Sequence, residues 1–298
     1  MEALIMARTY NPTIILPNRT VPGPGMIDPN DRQYALRVLA EGDSWYSVGS
    51  IPTSNLLYGL GFADSTLLLN LAYPGDTIIH MSDIEQNHDL FGFLARPNYA
   101  IKWDAILLSG GGNDLIDAVQ RIVLPAAASG QDPKLAASYI DTDVCAKVTQ
   151  SIVSSYKTVV GIRDSVGGPN RGVPIIIHTY DYATPRDAPV SFAGLALPLG
   201  PWLYPVVKAF AGPLQLSIAD LLIDTLATTL LSLDTASKSA NALPAFHVVD
   251  TRGTLKRAKQ GTSGDSNDWT NEIHPNHDGY SKLSSKLSPV INTLIGSK

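Results

Sequence analysis

Short apolar runs recur along the chain, and each run ends in glycine or in polar residues. These runs do not alternate strictly between apolar and polar positions, which is typical of strands buried on both faces of a parallel sheet. The predicted strands cover 34–40, 66–71, 105–108, 173–178 and 246–249.

Between these runs, apolar residues recur every three or four positions, which predicts helices with one buried face. A first stripe consists of Val144, Val148, Ile152, Tyr156 and Val159. A second stripe consists of Leu283, Leu287, Val290, Ile291 and Leu294. Pro289 lies inside the second stripe and is expected to kink or split that helix. Strands alternating with helices predict an α/β fold: a three-layer α/β/α sandwich with a parallel sheet of about five strands.

The chain divides into an arm and one domain. Residues 1–33 are rich in proline, asparagine and glycine, which predicts an extended N-terminal arm. Residues 34–298 then form a single domain with an apolar insertion at about 183–243. Within the insertion, 190–213 is interpreted either as a lid or wall of an acyl pocket, or as a surface that packs on the body or on a second copy of the chain.

The composition narrows the classes of function. Hydrophobic residues make up 44% of the 298 residues and charged residues 16%, so the chain as a whole is not disordered. The net charge of −5 and the lack of a basic stripe argue against a nucleic-acid partner. Cys145 is the only cysteine, which excludes an intrachain disulfide, and the histidines show no metal-ligand spacing. We therefore expect no metal.

The sequence also bears on membranes and on location. Prolines interrupt the most apolar stretch, 188–218, too often for a membrane-spanning helix. The N-terminus lacks the basic start and apolar core of a secretory signal. The prediction is therefore a cytoplasmic protein without a spanning segment, and a secreted location stays open if a signal has been removed. The sequence makes no prediction of the oligomeric state.

Four motifs with chemically useful side chains lie after predicted strands or before the last helix. They are Gly42-Asp43-Ser44, Tyr73-Pro74-Gly75-Asp76, Gly110-Gly111-Gly112-Asn113 and Asn271-Glu272-Ile273-His274. Because the carboxyl ends of parallel strands meet at one edge of a sheet, we expect these motifs to lie together. Taken singly, each motif also fits an ordinary turn or helix cap. The chain contains no glycine-rich phosphate-binding pattern, which disfavours a nucleotide ligand.

As a set and in this order, the motifs resemble those of the SGNH hydrolases, also called the GDSL esterase and lipase family. The matching residues are Ser44, Gly75, Asn113 and His274, and they span most of the chain. The resemblance implies a flavodoxin-like fold and a serine esterase without a cofactor. It also implies that Ser44 is the nucleophile and His274 the base, with Ser44, Gly75 and Asn113 forming the oxyanion hole. Asp43 is expected to support the loops by hydrogen bonding.

One position departs from the family pattern. Three residues before His274 the family has an aspartate, whereas this chain has Asn271. An asparagine accepts the Nδ1 hydrogen of the imidazole but does not offset the charge of the imidazolium. Three alternatives stay open for the missing acid: Asp268, Glu272, or a Ser–His dyad whose ring is held by a backbone carbonyl near Asn271. Asp268 is the preferred alternative.

The predicted substrate is a small-molecule ester with a short or medium acyl chain, because the insertion is apolar. Tyr180, Tyr182 and Trp202 are the candidate substrate-binding residues. Alternatives on the same fold are a carbohydrate O-acetylesterase and a thioesterase or acyltransferase. An alternative of another class is a non-catalytic ligand-binding module, which the asparagine at position 271 favours.

Overall fold

One large sheet organises the chain. The computed structural model describes residues 9–19, 27–47, 54–96, 101–192, 195–196 and 199–296. The strands are β1 (Thr13–Ile15), β2 (Leu36–Gly42), β3 (Thr66–Asn70), β4 (Ala105–Ser109), β5 (Ile175–His178), β6 (Ser191–Phe192), β7 (Leu195–Ala196) and β8 (Phe246–Val249). Strands β6 and β7 form a small antiparallel hairpin, and the others belong to a six-stranded sheet.

Seven helices accompany these strands in the described part of the chain. They are α1 (Ile78–Met81), α2 (His88–Ala95), α3 (Gly112–Ile122), α4 (Thr142–Arg163), α5 (Tyr204–Val207), α6 (Gly212–Leu231) and α7 (His277–Ile295). Asp141, directly before α4, accepts hydrogen bonds from the backbone N–H groups of Asp143 and Val144, so the side chain caps this helix.

The six-stranded sheet is parallel throughout, with the strand order β1-β3-β2-β4-β5-β8. Apart from the edge strand β1, this is the flavodoxin-like order, in which the second strand lies outside the first and the later strands follow on the other side. The register pairs Gly42 of β2 with Ser109 of β4, so the carboxyl ends of these strands lie side by side. The predicted α/β fold with a parallel sheet is confirmed.

Helices cover both faces of this sheet. The connection from β2 to β3 runs one way across the sheet, whereas the connections from β3 to β4, β4 to β5 and β5 to β8 run the other way. Right-handed crossovers therefore place them on opposite faces. Helices α1, α2, α3 and α6 all contact α4 on one face, and α7 packs against the turn Leu56–Gly59 of the first connection. Every residue of β3, β4 and β5 is buried, as a central layer requires.

The sheet has one more strand than the five or so predicted. Thr13–Ile15, inside the predicted arm, pairs in parallel with β3 and forms the edge of the sheet. This strand is only three residues long and lies between two prolines, so its apolar run was too short to predict a strand. Residues 1–8 and 20–26 of the predicted arm lie outside the described residues.

The last helix was expected to be kinked or split at Pro289, and it is not split there. Helix α7 is continuous from His277 to Ile295 with Pro289 inside it. Leu287 and Ile291, on either side of the proline, are fully buried in the core. Their packing stabilises the helix across the position where proline removes an N–H donor.

Helix α6 is the longest element of the predicted insertion 183–243. Among the described residues it is the one helix with the length and hydropathy to cross a membrane, features that the core helix of a soluble protein shares. Its Asp220 forms an ion pair with Arg257 at 2.5 Å, and its Asp224 one with Arg252 at 2.8 Å. Both arginines follow β8, so the helix is joined to the body of the domain.

Candidate active site

Ser44 lies on a tight turn directly after β2. A side chain on Gly42 would place its Cβ 2.7 Å from the Cβ of Ser109, so only glycine permits this approach of β2 to the end of β4. The next residue, Asp43, is buried and accepts hydrogen bonds from the backbone N–H of Trp45 and the hydroxyl of Ser109. These contacts fix the turn and leave Ser44 half-buried at the carboxyl edge of the sheet.

The imidazole of His274 meets the hydroxyl of Ser44. The distance from His274 Nε2 to Ser44 Oγ is 2.7 Å, although 230 positions separate the two residues in the sequence. The loop that carries His274 ends at Asn276, which caps α7 by accepting the N–H of Gly279 at 3.0 Å. The predicted meeting of these two side chains is present in the structure.

Asn271 holds the other side of the imidazole. Its Oδ1 accepts the backbone N–H groups of Ile273 at 3.1 Å and His274 at 2.9 Å, and lies 3.0 Å from His274 Nδ1. Because two of these donors are backbone N–H groups, the oxygen of the amide must face them, and Nδ1 must carry the imidazole hydrogen. Nε2 then presents its lone pair to the Ser44 hydroxyl, which is the arrangement of a general base.

The surroundings of His274 favour its neutral form. Burial lowers the pKa of His274 to about 4. The ring of Trp202 lies edge-on to the imidazole with the ring centroids 5.5 Å apart. The imidazole is therefore neutral, and its Nε2 lone pair is present, across the whole neutral pH range.

The preferred acid, Asp268, does not reach His274, and this expectation is corrected. Its carboxylate lies 2.6 Å from Lys282 Nζ and accepts the backbone N–H of Lys256 at 2.6 Å. Glu272 is also engaged elsewhere. It is fully buried and accepts the backbone N–H groups of Trp202 and Leu203, which precede α5, and of Tyr204, the first residue of α5.

Among the three alternatives, the structure therefore matches the Ser–His dyad, with one difference. The ring is held by the side-chain oxygen of Asn271 rather than by a backbone carbonyl. In the described part of the chain, no carboxylate bonds to the imidazole of His274.

The three predicted oxyanion donors differ in their placement. Ser44 and Asn113 line one pocket, whereas Gly75 is not among its lining residues. The amide nitrogen of Asn113 donates to the carbonyl of Asp76 at 2.8 Å, which joins the start of α3 to the loop that carries Gly75. This bond uses one of the two amide hydrogens and leaves the second free. Among the described residues, no acceptor bonds to the backbone N–H of Ser44 or of Gly75.

The loop after β3 owes its shape to nearby polar side chains. Gly75 adopts a φ of 82°, a conformation that favours glycine, and it is exposed. Asp114 accepts the backbone N–H groups of Ile78 and Ile79, and Asp76 lies 2.6 Å from Nδ1 of His80.

Within the described ranges, no group of three or more His, Cys, Asp or Glu side chains is placed to hold a metal ion.

A buried polar chain supports Asp43, and the sequence analysis did not single out its members Ser109 and His178. The hydroxyl of Ser109 donates to Asp43 at 2.8 Å and lies 3.1 Å from Nε2 of His178, while the hydroxyl of Tyr180 donates to Asp43 at 2.5 Å. Burial lowers the pKa of His178 to about 3 and raises that of Asp43 to about 6. Ser109 and His178 are the last residues of β4 and β5. Their position at strand ends was the available signal.

The candidate substrate-binding residues differ in their placement. Tyr180, at a φ of 65°, lines the pocket beside Ser44 and bonds to Asp43. Trp202 packs against His274, as described above. Tyr182 is turned toward α6, where its hydroxyl donates to Asp224 at 2.7 Å, and it does not line the pocket.

The pocket beside Ser44 has one polar end and apolar walls. Its cavity volume is about 50 Å³, and it opens to solvent. Among the described residues of 190–213, Leu203 lines its wall, whereas α6 contributes four residues. Those four are Ala219, Leu222, Ile223 and Leu226. The apolar wall therefore comes mainly from α6 rather than from the segment that the sequence analysis emphasised; 193–194 and 197–198 of that segment lie outside the described residues.

No family model and no curated protein matches this chain. Solved structures do match. A carbohydrate esterase family 3 protein from Talaromyces cellulolyticus is 12% identical, covers 87% of this chain and 98% of its own, and has a TM-score of 0.44. The M. smegmatis aryl esterase is 16% identical with a TM-score of 0.43 and covers 87% of this chain and 100% of its own.

A possible lipase from Chitinophaga pinensis is 14% identical, has a TM-score of 0.47, and covers 87% of this chain and 98% of its own. These esterases and this possible lipase are proteins to which the chain is similar in the course of its backbone. Because fold does not imply function, the function of this chain rests on the geometry of its own site.

Proposed function

We propose that this chain is a serine hydrolase of the SGNH type that cleaves carboxylic esters through an acyl-enzyme on Ser44. The observation that carries this proposal is the 2.7 Å contact between Ser44 Oγ and His274 Nε2. It is supported by Asn271, whose oxygen fixes the hydrogen on Nδ1 and leaves Nε2 free to accept a proton. Nucleophile and base within hydrogen-bond reach, with a third group orienting the base, are the requirements for an activated serine.

The first half of the reaction forms the acyl-enzyme. Ser44 Oγ attacks the carbonyl carbon of the ester while its proton moves to His274 Nε2. The carbonyl oxygen becomes an oxyanion that accepts hydrogen bonds from the N–H groups of Ser44 and Gly75 and from the free amide hydrogen of Asn113. When the tetrahedral intermediate collapses, the bond to the alcohol oxygen breaks, and His274 gives its proton to that oxygen.

The second half repeats these steps with water. A water molecule attacks the acyl carbon while its proton moves to His274 Nε2, and the same donors stabilise the oxyanion. Collapse breaks the bond to Ser44 Oγ, which takes the proton back from His274. The products are the carboxylic acid and the free enzyme, so the reaction needs no cofactor.

Asn271 gives this base a particular character. It orients the ring but adds no negative charge, so the imidazolium that forms during attack is less stabilised than beside a carboxylate. The low pKa of His274 means that the base stays unprotonated down to about pH 4. The proposed enzyme therefore has a weaker base than an enzyme with a carboxylate at this position, and it keeps its activity to a lower pH.

Labelling with a fluorophosphonate probe tests the proposal. We expect wild type to label and to hydrolyse p-nitrophenyl butyrate. Ser44→Ala should not label and should lose a factor on the order of 10⁴ or more in kcat. Ser217→Ala, a change at an exposed position on α6, is the matched control and should behave as wild type.

The rival of another class, a non-catalytic ligand-binding module, predicts the opposite. It expects wild type and Ser44→Ala to be equally unreactive toward the probe and the ester. That outcome would overturn the proposed hydrolase activity.

A further inference from the structure

The pocket beside Ser44 has more apolar lining than the chemical steps of ester cleavage use. Its polar lining atoms are grouped around Asp43, Ser44 and Asn113, and the remaining lining residues are almost all aliphatic or aromatic. The reacting carbonyl occupies only the polar end. The apolar part therefore has no role in the chemical steps, and apolar walls of this kind bind hydrocarbon.

Helix α6 forms one wall of this pocket with a single stripe. Ala219, Leu222, Ile223 and Leu226 all line it, and their spacing of three, one and three positions places them on one face of the helix. Leu226 closes this wall against the start of α3, because a side chain on Gly111 would place its Cβ 3.2 Å from Leu226 Cδ1. Opposite the stripe, Leu115 and Ile116 of α3 also line the pocket.

The same helix is fixed in position by polar side chains outside the stripe. Arg257 donates to Asp220 at 2.5 Å and to the carbonyl of Ala183 at 2.7 Å. Asp224, one turn further on, accepts hydrogen bonds from both Arg252 and Tyr182. These polar contacts join α6 to the segments that carry Tyr182 and Arg257.

We propose that this wall binds the hydrocarbon chain of the acyl group, and that Ala219 and Leu222 on α6 determine the chain length that the enzyme prefers. The proposal rests on the proposed function of Ser44. Each methylene group that enters such a pocket gains roughly fourfold in affinity. Ala219 has the smallest side chain of the stripe, so a larger side chain at this position would narrow the pocket.

The first test compares chain lengths. Ala219→Leu should lower the ratio of kcat/KM for p-nitrophenyl octanoate over p-nitrophenyl acetate by about tenfold, because the larger side chain takes the space of one or two methylene groups. Leu222→Ala should raise the preference for chains longer than octanoate. An unchanged octanoate-to-acetate ratio in Ala219→Leu, with acetate still hydrolysed, would overturn the assignment and leave the esterase intact.

Two matched control variants distinguish the effect of changing the pocket wall from the effect of any substitution on α6. Ser217→Leu adds a leucine at an exposed position of α6, and Leu230→Ala removes one at a buried position of the same helix that does not line the pocket. Both controls should keep the wild-type ratio. A shift in either control as large as that in the stripe variants would count against the proposal.

A binding measurement does not depend on catalysis. Octanoate titrated into Ser44→Ala and followed by saturation-transfer NMR should bind, with acetate as the weak-binding comparison. The double variant Ser44→Ala/Ala219→Leu should bind octanoate about tenfold more weakly. If octanoate does not bind, the acyl pocket is refuted, whereas fluorophosphonate labelling of wild type still decides the hydrolase activity by itself.

Discussion

Asn271 gives His274 an orientation without giving it a counter-charge. Its side-chain oxygen receives three hydrogens, and two of them come from the backbone of the loop that it orients. The asparagine is therefore part of the loop structure as well as a partner of the imidazole. This explains how the ring keeps its tautomer although the family's aspartate is absent.

The first prediction at the residue scale concerns Asn271→Asp. A carboxylate in this position stabilises the imidazolium and raises the pKa of His274 above its value of about 4. Since the neutral imidazole is the base, the pH at which kcat/KM falls on acidification should move up by about one to two units. Activity at neutral pH should rise up to about tenfold, because one pKa unit corresponds to that factor. A pH–rate profile of both proteins measures this, and coincident acid limbs would contradict the role given to Asn271.

The second residue-scale prediction concerns Asp268, the acid that the sequence favoured. Since its carboxylate binds Lys282 and the N–H of Lys256, Asp268→Asn should keep kcat within about threefold of wild type, a change well under 1 kcal/mol. Asn271→Leu, of similar size, should lose at least a hundredfold because the ring is no longer held in its tautomer. Steady-state kinetics on p-nitrophenyl butyrate compares the two. A larger loss in Asp268→Asn would restore it as the acid.

At the scale of elements, the Asn271–His274 loop also fixes the start of α5. Glu272 is fully buried and accepts three successive backbone N–H groups, including that of Trp202. Trp202 in turn packs on His274. One carboxylate thus links the apolar insertion to the base.

This linkage gives a prediction for Glu272. Replacing it by alanine leaves buried donors without a partner and should lower the free energy of unfolding by about 3 kcal/mol. Glu272→Gln keeps one accepting oxygen and should lose about half as much. Urea denaturation measures both variants. Equal stability of Glu272→Ala and wild type would show that the carboxylate does not hold this segment.

The pattern of apolar residues explains which of these elements could be predicted from the sequence. The five longer strands were predicted because buried strands of a parallel sheet read as continuous apolar runs. The contribution of α6 to the pocket was missed because this helix is apolar on most sides, so its pattern does not show which face lines a pocket. Asp268 was misplaced because an irregular loop has no periodicity, and the direction of a side chain there depends on contacts that only the fold supplies.

At the scale of the whole molecule, most of the candidate catalytic residues follow strands at the carboxyl edge of one sheet. Ser44 follows β2, Gly75 follows β3 and Asn113 follows β4, which is why their order in the sequence was informative. His274 follows no strand directly, and the resemblance to a family was needed to place it. The buried chain from His178 through Ser109 to Asp43 lies beneath the same edge.

That buried histidine makes the stability depend on pH. Histidine titrates near 6.5 in an unfolded chain, whereas burial lowers the pKa of His178 to about 3. Below about pH 6.5 the unfolded chain therefore takes up a proton that the folded chain does not. The free energy of unfolding consequently decreases as the pH is lowered. In His178→Gln, the loss of unfolding free energy between about pH 7 and about pH 5 should be smaller by about 2 kcal/mol.

Urea denaturation at the two pH values measures the effect, because the other titrating groups are common to both proteins and cancel. His88→Gln, at an exposed position on α2, is the control and should keep the wild-type difference. If His178→Gln loses as much stability in acid as wild type, the folded protein already protonates this ring.

The distance of 230 positions between the reactive hydroxyl and its imidazole has a consequence for biosynthesis. The ribosome makes the serine 230 residues before it makes the histidine. A nascent or truncated polypeptide therefore carries an ordinary, unreactive serine. Reactivity toward a phosphonate probe would consequently report that the loop with the histidine and the helix after it have docked, and would mark folded molecules in a mixed population.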